Sequence, residues 1–152
     1  MSVETIVLVA AGEIDDVADR LAATTADIAG PSDAEVVLAH VLDETEYETA
    51  CNRLNFARGS EVTPSDIVER NAAVRDLGDA LSDNGIDVTA YGRLTNGASR
   101  GQRLAELAEE VDADLVVLGG RGRSPAGKAL FGSTAQEVML ESSCPVTFVR
   151  AA

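Results

Sequence analysis

The sequence predicts an α/β fold: a single open parallel five-stranded sheet with helices on both faces. Three observations point there. Apolar runs of strand length alternate along the chain with segments of helical period. Hydrophobic residues fill 45% of the positions but aromatics only 3%, so the core is built from Val, Leu, Ile and Ala, a mixture suited to strands buried on both faces. The 152 residues contain no internal repeat, linker or low-complexity tract, which predicts one domain over 1–152, large enough to bury its own core.

Ile6 to Ala10 reads as the first strand, followed by a helix from about Asp15 to Ala29 with Val17, Leu21 and Ile28 on one face, stopped by Gly30 and Pro31. Glu35 to Val41 is the second strand, and Leu42 to Val62 reads as a long polar connection without a period. Thr63, Pro64 and Asp66 supply a cap, a first-turn proline and a charge suited to the positive helix end, so a helix is expected from there to about Leu81, closed by Asn84 and Gly85. Ile86 to Gly92 alternates as a third strand. Ser99 and Gln102 have capping-box spacing ahead of a stripe at Leu104, Leu107, Ala108 and Val111, which predicts another helix. Asp114 to Leu118 reads as a central parallel strand, Ser133 to Glu141 as the last helix, and Val146 to Arg150 as the last strand.

The chain carries 26 acidic against 12 basic residues, a net charge of −14, which would repel nucleic acid and acidic membrane surfaces. Lys128 is the only lysine, and an acidic, lysine-poor surface suits a protein adapted to high salt, where screening damps self-repulsion. Cys51 and Cys144 lack metal-site spacing and read as reduced thiols. The single histidine, His40, falls in a strand and rules out zinc sites that need a pair. The acidic run Asp43, Glu44, Glu46 and Glu48 lacks the glycine and terminal glutamate of a calcium loop and reads as a solvated segment. No apolar run is long enough to span a bilayer, and the first one follows Glu4 without the basic flank of a secretion signal, so a cytoplasmic location is expected.

Chemistry concentrates in Leu118 to Ser133, LGGRGRSPAGKALFGS, directly after a buried strand and directly before a helix. Glycines let backbone N–H groups approach an anion, and the helix start adds unpaired donors and a positive dipole end. Leu115 to Gln136 contains no acidic residue, whereas 26 spread evenly over 152 positions would put about four in these 22. Gly122 to Ala129, GRSPAGKA, approaches the P-loop pattern but fails at Ala129, which offers no hydroxyl to Mg²⁺. A second pattern is complete: Gly119-x-x-Gly122, nine residues, then Gly132-Ser133.

With that spacing, and with DADLVVLGGRGRS and CPVTFVR flanking it, the chain resembles the universal stress protein family in its ATP-binding branch, over essentially its whole length. The resemblance implies a Rossmann-like sheet of strand order 3-2-1-4-5, with the ligand at the switch point between Ala10 to Gly12 and Gly119 to Gly122, where Ala10 and Ala11 would contact it. It implies an adenine nucleotide (ATP, ADP or AMP), with Mg²⁺ accompanying it. Phosphates would lie on Gly119, Gly122, Gly132 and Ser133, adenine against the backbone of Val41, and Gly120, Arg121 and Thr134 would complete the nucleotide-binding set. Relatives carry an aspartate at the end of the first strand where this chain has Ala11, Gly12 and Glu13, so that Glu13 or Asp15 would have to reach the same space. Gly97 stands near the glycine that relatives carry before the third helix. A homodimer through Val146 to Arg150, an edge strand in need of cover, and a protein partner under stress-response control complete the expectation. Two other readings stay open: a nucleotide-free dimeric interaction module, and a slow ATPase for which no catalytic residue is named.

Overall fold

The structure, a computed structural model, describes residues 3–10, 17–54, 62–120, 122–123, 129–130 and 132–150. Its elements run β1 (Thr5–Val9), α1 (Ala18–Ser32), β2 (Glu35–Leu42), α2 (Glu44–Arg53), α3 (Pro64–Val68), α4 (Ala72–Asp83), β3 (Val88–Leu94), α5 (Arg100–Glu110), β4 (Leu115–Gly120), β5 (Gly122–Arg123), β6 (Ala129–Leu130), α6 (Ser133–Glu141) and β7 (Val146–Arg150). Five strands form one parallel sheet in the order β3-β2-β1-β4-β7, the expected 3-2-1-4-5, and β5 pairs antiparallel with β6 inside the glycine-rich segment.

Strand alternation builds two cores. Ile6, Leu8, Val36, Leu38 and Val117 face the side of Leu21, Val74, Leu77 and Leu81 from α1 and α4. Val7, Val9, Val37, Ala39, Val116 and Leu118 face the other side, under Leu104, Leu107 and Ala108 of α5 and Ala135 and Val138 of α6. Both faces of β1 are thus fully covered, and each buried Leu or Val contributes about 1.5–3 kcal/mol of transfer free energy.

At the amino end of the sheet, the Asp114 carboxylate accepts from the backbone N–H groups of Glu4 (2.8 Å) and Thr5 (3.1 Å), pinning β4 to β1. Helices enter strands there through tight left-handed corners. Asp33 (φ 53), Gly85 (φ 76) and Asp112 (φ 53) each follow a helix, and the next residue donates back five positions: Ala34 to Ala29 (3.0 Å), Ile86 to Leu81 (3.1 Å), Ala113 to Ala108 (2.9 Å).

Four local expectations are corrected. Gly30 and Pro31 do not stop α1; proline so near the end deletes only one backbone bond, and the left-handed Asp33 closes the helix instead. The polar stretch 42–62 contains α2, started by a reciprocal capping box in which Asp43 accepts from the Glu46 N–H (2.7 Å) and Glu46 from the Asp43 N–H (3.1 Å). The helix opened by Thr63 ends at Val68, and Asn71 starts α4 by capping the Val74 N–H (3.2 Å). That break lets α3 lie on β3, where a Cβ on Gly92 would fall 2.4 Å from the Pro64 carbonyl oxygen and the Gly92 N–H reaches Ser65 Oγ (3.0 Å). Finally, β3 begins at Val88, because Ile86 is used in the corner after Gly85.

Candidate functional site

In a parallel sheet the strands' carboxyl ends share one edge, and the chain order reverses here between β1 and β4. Leu8 pairs with Val117, so Ala10, buried and bonded through its N–H to Ala39 O (2.9 Å), stands level with Gly119 across the switch point. Val41, one strand further along, lies buried at the same edge. The fold therefore brings Ala10, Val41, Gly119 and Gly120 to the carboxyl edge of the sheet, outside which an open α/β sheet has its switch-point crevice. Ala11 and Arg121, like Lys128, Glu13 and Asp15, lie outside the described residues.

The glycines divide into two kinds. A Cβ on Gly119 would meet Leu21 Cδ2 and Val149 O, both at 3.0 Å, and one on Gly120 would meet Phe148 Cζ at 3.3 Å, so close packing of α1 and β7 accounts for part of their smallness. Gly132 has no such reason: it is exposed, and among the described residues a Cβ there meets nothing within 4 Å. Gly122 pairs with Leu130 between β5 and β6, and Gly97 lies in the turn before α5, left-handed at φ 84.

Gly132 is the N-cap of α6 and offers no side chain to it. The first intrahelical bond runs from Gln136 N–H to Gly132 O (3.1 Å), which leaves the N–H groups of Ser133, Thr134 and Ala135 as the orphan donors of the first turn. Ser133 is exposed and Thr134 half-buried beside them. Elsewhere the first turns are closed by side chains: Asp43 for α2, Thr63 for α3, Asn71 for α4 and Ser99 for α5. The helices without a side-chain cap among the described residues are α1, the first helix after β1, and α6, the first helix after β4 and the β5–β6 pair; β1 and β4 are the strands flanking the switch point.

At the other end of the crevice stands a residue that sequence reasoning missed. Arg100, the first residue of α5, donates from Nη1 to the Val41 carbonyl (2.8 Å) and pairs through Nη2 with Asp43 (3.5 Å) and Glu46. A cation at a helix start opposes the dipole, so it called for acidic partners, and the Asp43-x-x-Glu46 spacing was the legible sign of where they stand. The Glu46 N–H, with the Glu46 side chain and Arg100 assisting, holds the Asp43 carboxyl below its ordinary range against the opposing effect of burial. Glu44 completes the acidic run by accepting from Asn96 N–H (3.0 Å) and Thr95 Oγ1 (3.3 Å), tying α2 to the turn before α5.

The His40 ring lies with Nδ1 against the Ala10 carbonyl, joining β2 to the end of β1. Cys51 and Cys144 are free thiols, and burial pushes Cys144 up. No helix among the described residues is long and apolar enough to cross a membrane.

The architecture is that of a doubly wound α/β protein whose switch point is bordered by a glycine-rich segment and an uncapped helix start. The family model of the universal stress protein family matches residues 5–150, and the chain belongs to that family. It is 36% identical over 81 residues to a universal stress protein of Mycolicibacterium smegmatis, a match spanning 53% of this chain and 61% of that protein. The structure of a universal stress protein from Archaeoglobus fulgidus superposes with a TM-score of 0.72 at 25% identity, over 97% of this chain and 98% of that one. A universal stress protein in complex with cAMP superposes with a TM-score of 0.65 at 25% identity, over the full length of both chains.

Proposed function

We propose that this chain binds an adenine nucleotide, ATP or its products ADP and AMP, and serves as a cytoplasmic stress-response or regulatory protein whose nucleotide state is read by a protein partner. The observation that carries this reading is the start of α6: exposed Gly132 with, among the described residues, nothing near its Cβ position and no side-chain cap, and three N–H groups behind it that have no partner within the helix. The complete Gly119-x-x-Gly122 and Gly132-Ser133 spacing and the cAMP complex of a relative support the same ligand class. Phosphates would sit on Gly122, Gly132, Ser133 and Thr134, bordered by Gly119, Gly120 and Arg121. The base would lie toward Val41, past Ala10 and Ala11. Mg²⁺ would arrive with the triphosphate. β7, bonded to β4 along one side, offers its other edge to a second copy, giving a homodimer.

Calorimetry with ATP, ADP and AMP tests this directly. Binding is expected, with Gly122→Val abolishing it by placing a branched side chain in the anion turn; no binding at millimolar concentration of any of the three sinks the reading. The packing contacts of Gly119 and Gly120 favour one second reading, a nucleotide-free dimeric module in which these glycines serve only the fold. It expects dimerisation indifferent to ATP.

A further inference from the structure

Backbone groups of successive strand residues point to opposite sides, and β2 shows the alternation: the Ala39 carbonyl accepts from Ala10 of β1, and the Leu42 carbonyl accepts from Thr95 beyond β3. The Val41 carbonyl therefore turns toward the β1 side, past Ala10, into the crevice. It is not free there. Arg100 donates to it at 2.8 Å, and the same guanidinium is held by Asp43 and Glu46 of the α2 cap. A side chain of this chain thus occupies the backbone acceptor that the base end of the crevice would otherwise offer a ligand.

We propose that Arg100 is a specificity-determining residue: it competes with the exocyclic amine of an adenine base for the Val41 carbonyl, so that this chain discriminates against adenine relative to a bare polyphosphate. The inference rests on the nucleotide reading above and deepens it. A carbonyl has two acceptor sites; the Arg100 guanidinium fills one and stands over the approach to the other, so the apparent affinity of a base whose amine seeks Val41 is scaled down to the fraction of molecules in which Arg100 has moved aside. Among the described residues, a phosphate group at α6 meets no such competitor, because Arg100 is engaged at β2 and α2. Asp43 and Glu46 hold the displaced cation nearby, so the nucleotide and the docking of α2 become linked through one side chain.

The test is calorimetry on the full chain with three probes: ATP, inorganic tripolyphosphate, and a purine ribonucleoside triphosphate lacking the 6-amino group. Arg100→Ala is expected to tighten ATP about tenfold while tripolyphosphate and the amine-free analogue change by less than about twofold. Arg100→Met, which keeps the length of the stem and removes the donors, repeats the measurement should Arg100→Ala lose the α2 contact or fail to fold. ATP affinity unchanged or weakened by both variants, with tripolyphosphate binding retained, overturns the role of Arg100 and leaves the phosphate site standing. An equal gain for all three probes also overturns it, since the effect would not concern the base. Failure of every probe to bind either the natural chain or the variants sinks the nucleotide reading and this inference together.

Discussion

Helices α5 and α6 lie on the same face of the sheet and start at the same edge, yet their first turns are built in opposite ways. α5 opens on Ser99, whose hydroxyl accepts from the Gln102 N–H (3.2 Å) and donates to Glu137 (2.5 Å), and on Arg100, paired with Asp43 and Glu46. Every polar group named there has a partner within the chain. α6 opens on Gly132 with no side-chain cap and exposed Ser133. The difference teaches that two helix starts on one edge can be built in opposite ways: one is closed by the protein's own side chains, and the other, among the described residues, has no side-chain cap.

The two are mechanically joined, and breaking the join is expected to have the largest effect. A Cβ on Gly101 would stand 2.3 Å from Glu137 Cβ and 3.1 Å from Thr134 O. Gly101→Val should push α5 off α6 at a cost of about 2–3 kcal/mol, lowering the melting temperature by about 5–10 °C. The matched change at the open helix start should behave differently: Gly132→Val meets no described neighbour within 4 Å, so it should cost less than about 1 kcal/mol in a thermal melt yet weaken ATP and tripolyphosphate by about tenfold or more. Equal losses of stability in the two variants would erase the contrast. Ser99→Ala removes the α5 cap and the bond to Glu137; a loss of about 1 kcal/mol with phosphate affinity unchanged is expected.

The smallest effect concerns acid. Asp43 has its carboxyl held below the ordinary value of 3.8 in the folded chain, so ionisation favours the fold above about pH 4, and that contribution is lost as the pH falls through the lowered value. Melting temperatures measured between pH 3 and 6 should therefore fall less steeply at the acid end in Asp43→Asn than in the natural chain, by a small margin given how solvated the group is.

Much of this architecture was legible in the residues. The fully apolar runs of β1 and β4, and the capping box of α5, stand out because local chemistry and tertiary role agree. The misreadings occurred where the two compete. Pro31 is a helix breaker by type but sits one residue from a helix end, where its cost is smallest. α2 has no buried residue, so no apolar stripe announced it, and its capping box was hidden in a run of acids that looked uniformly solvated. The break before Asn71 is imposed by the need to set α3 on Gly92, a contact between residues far apart in sequence. At the site, spacing alone marked Gly132 and Ser133, but it assigned one purpose to all the glycines. Only the neighbours of Gly119 and Gly120 separate packing from ligand access, and only three-dimensional proximity joins Arg100 to Val41.

The left-handed corners at the far edge of the sheet carry a consequence for anyone wishing to engineer this fold. Asp33 and Asp112 adopt a backbone that Gly85 adopts without steric cost, so each holds a little conformational strain and a negative charge on a chain already at −14. Both lie at the opposite end of the strands from the crevice. Substitutions at those two corners are therefore expected to shift tolerance to heat and salt while leaving the glycine segment and the surroundings of Arg100 untouched.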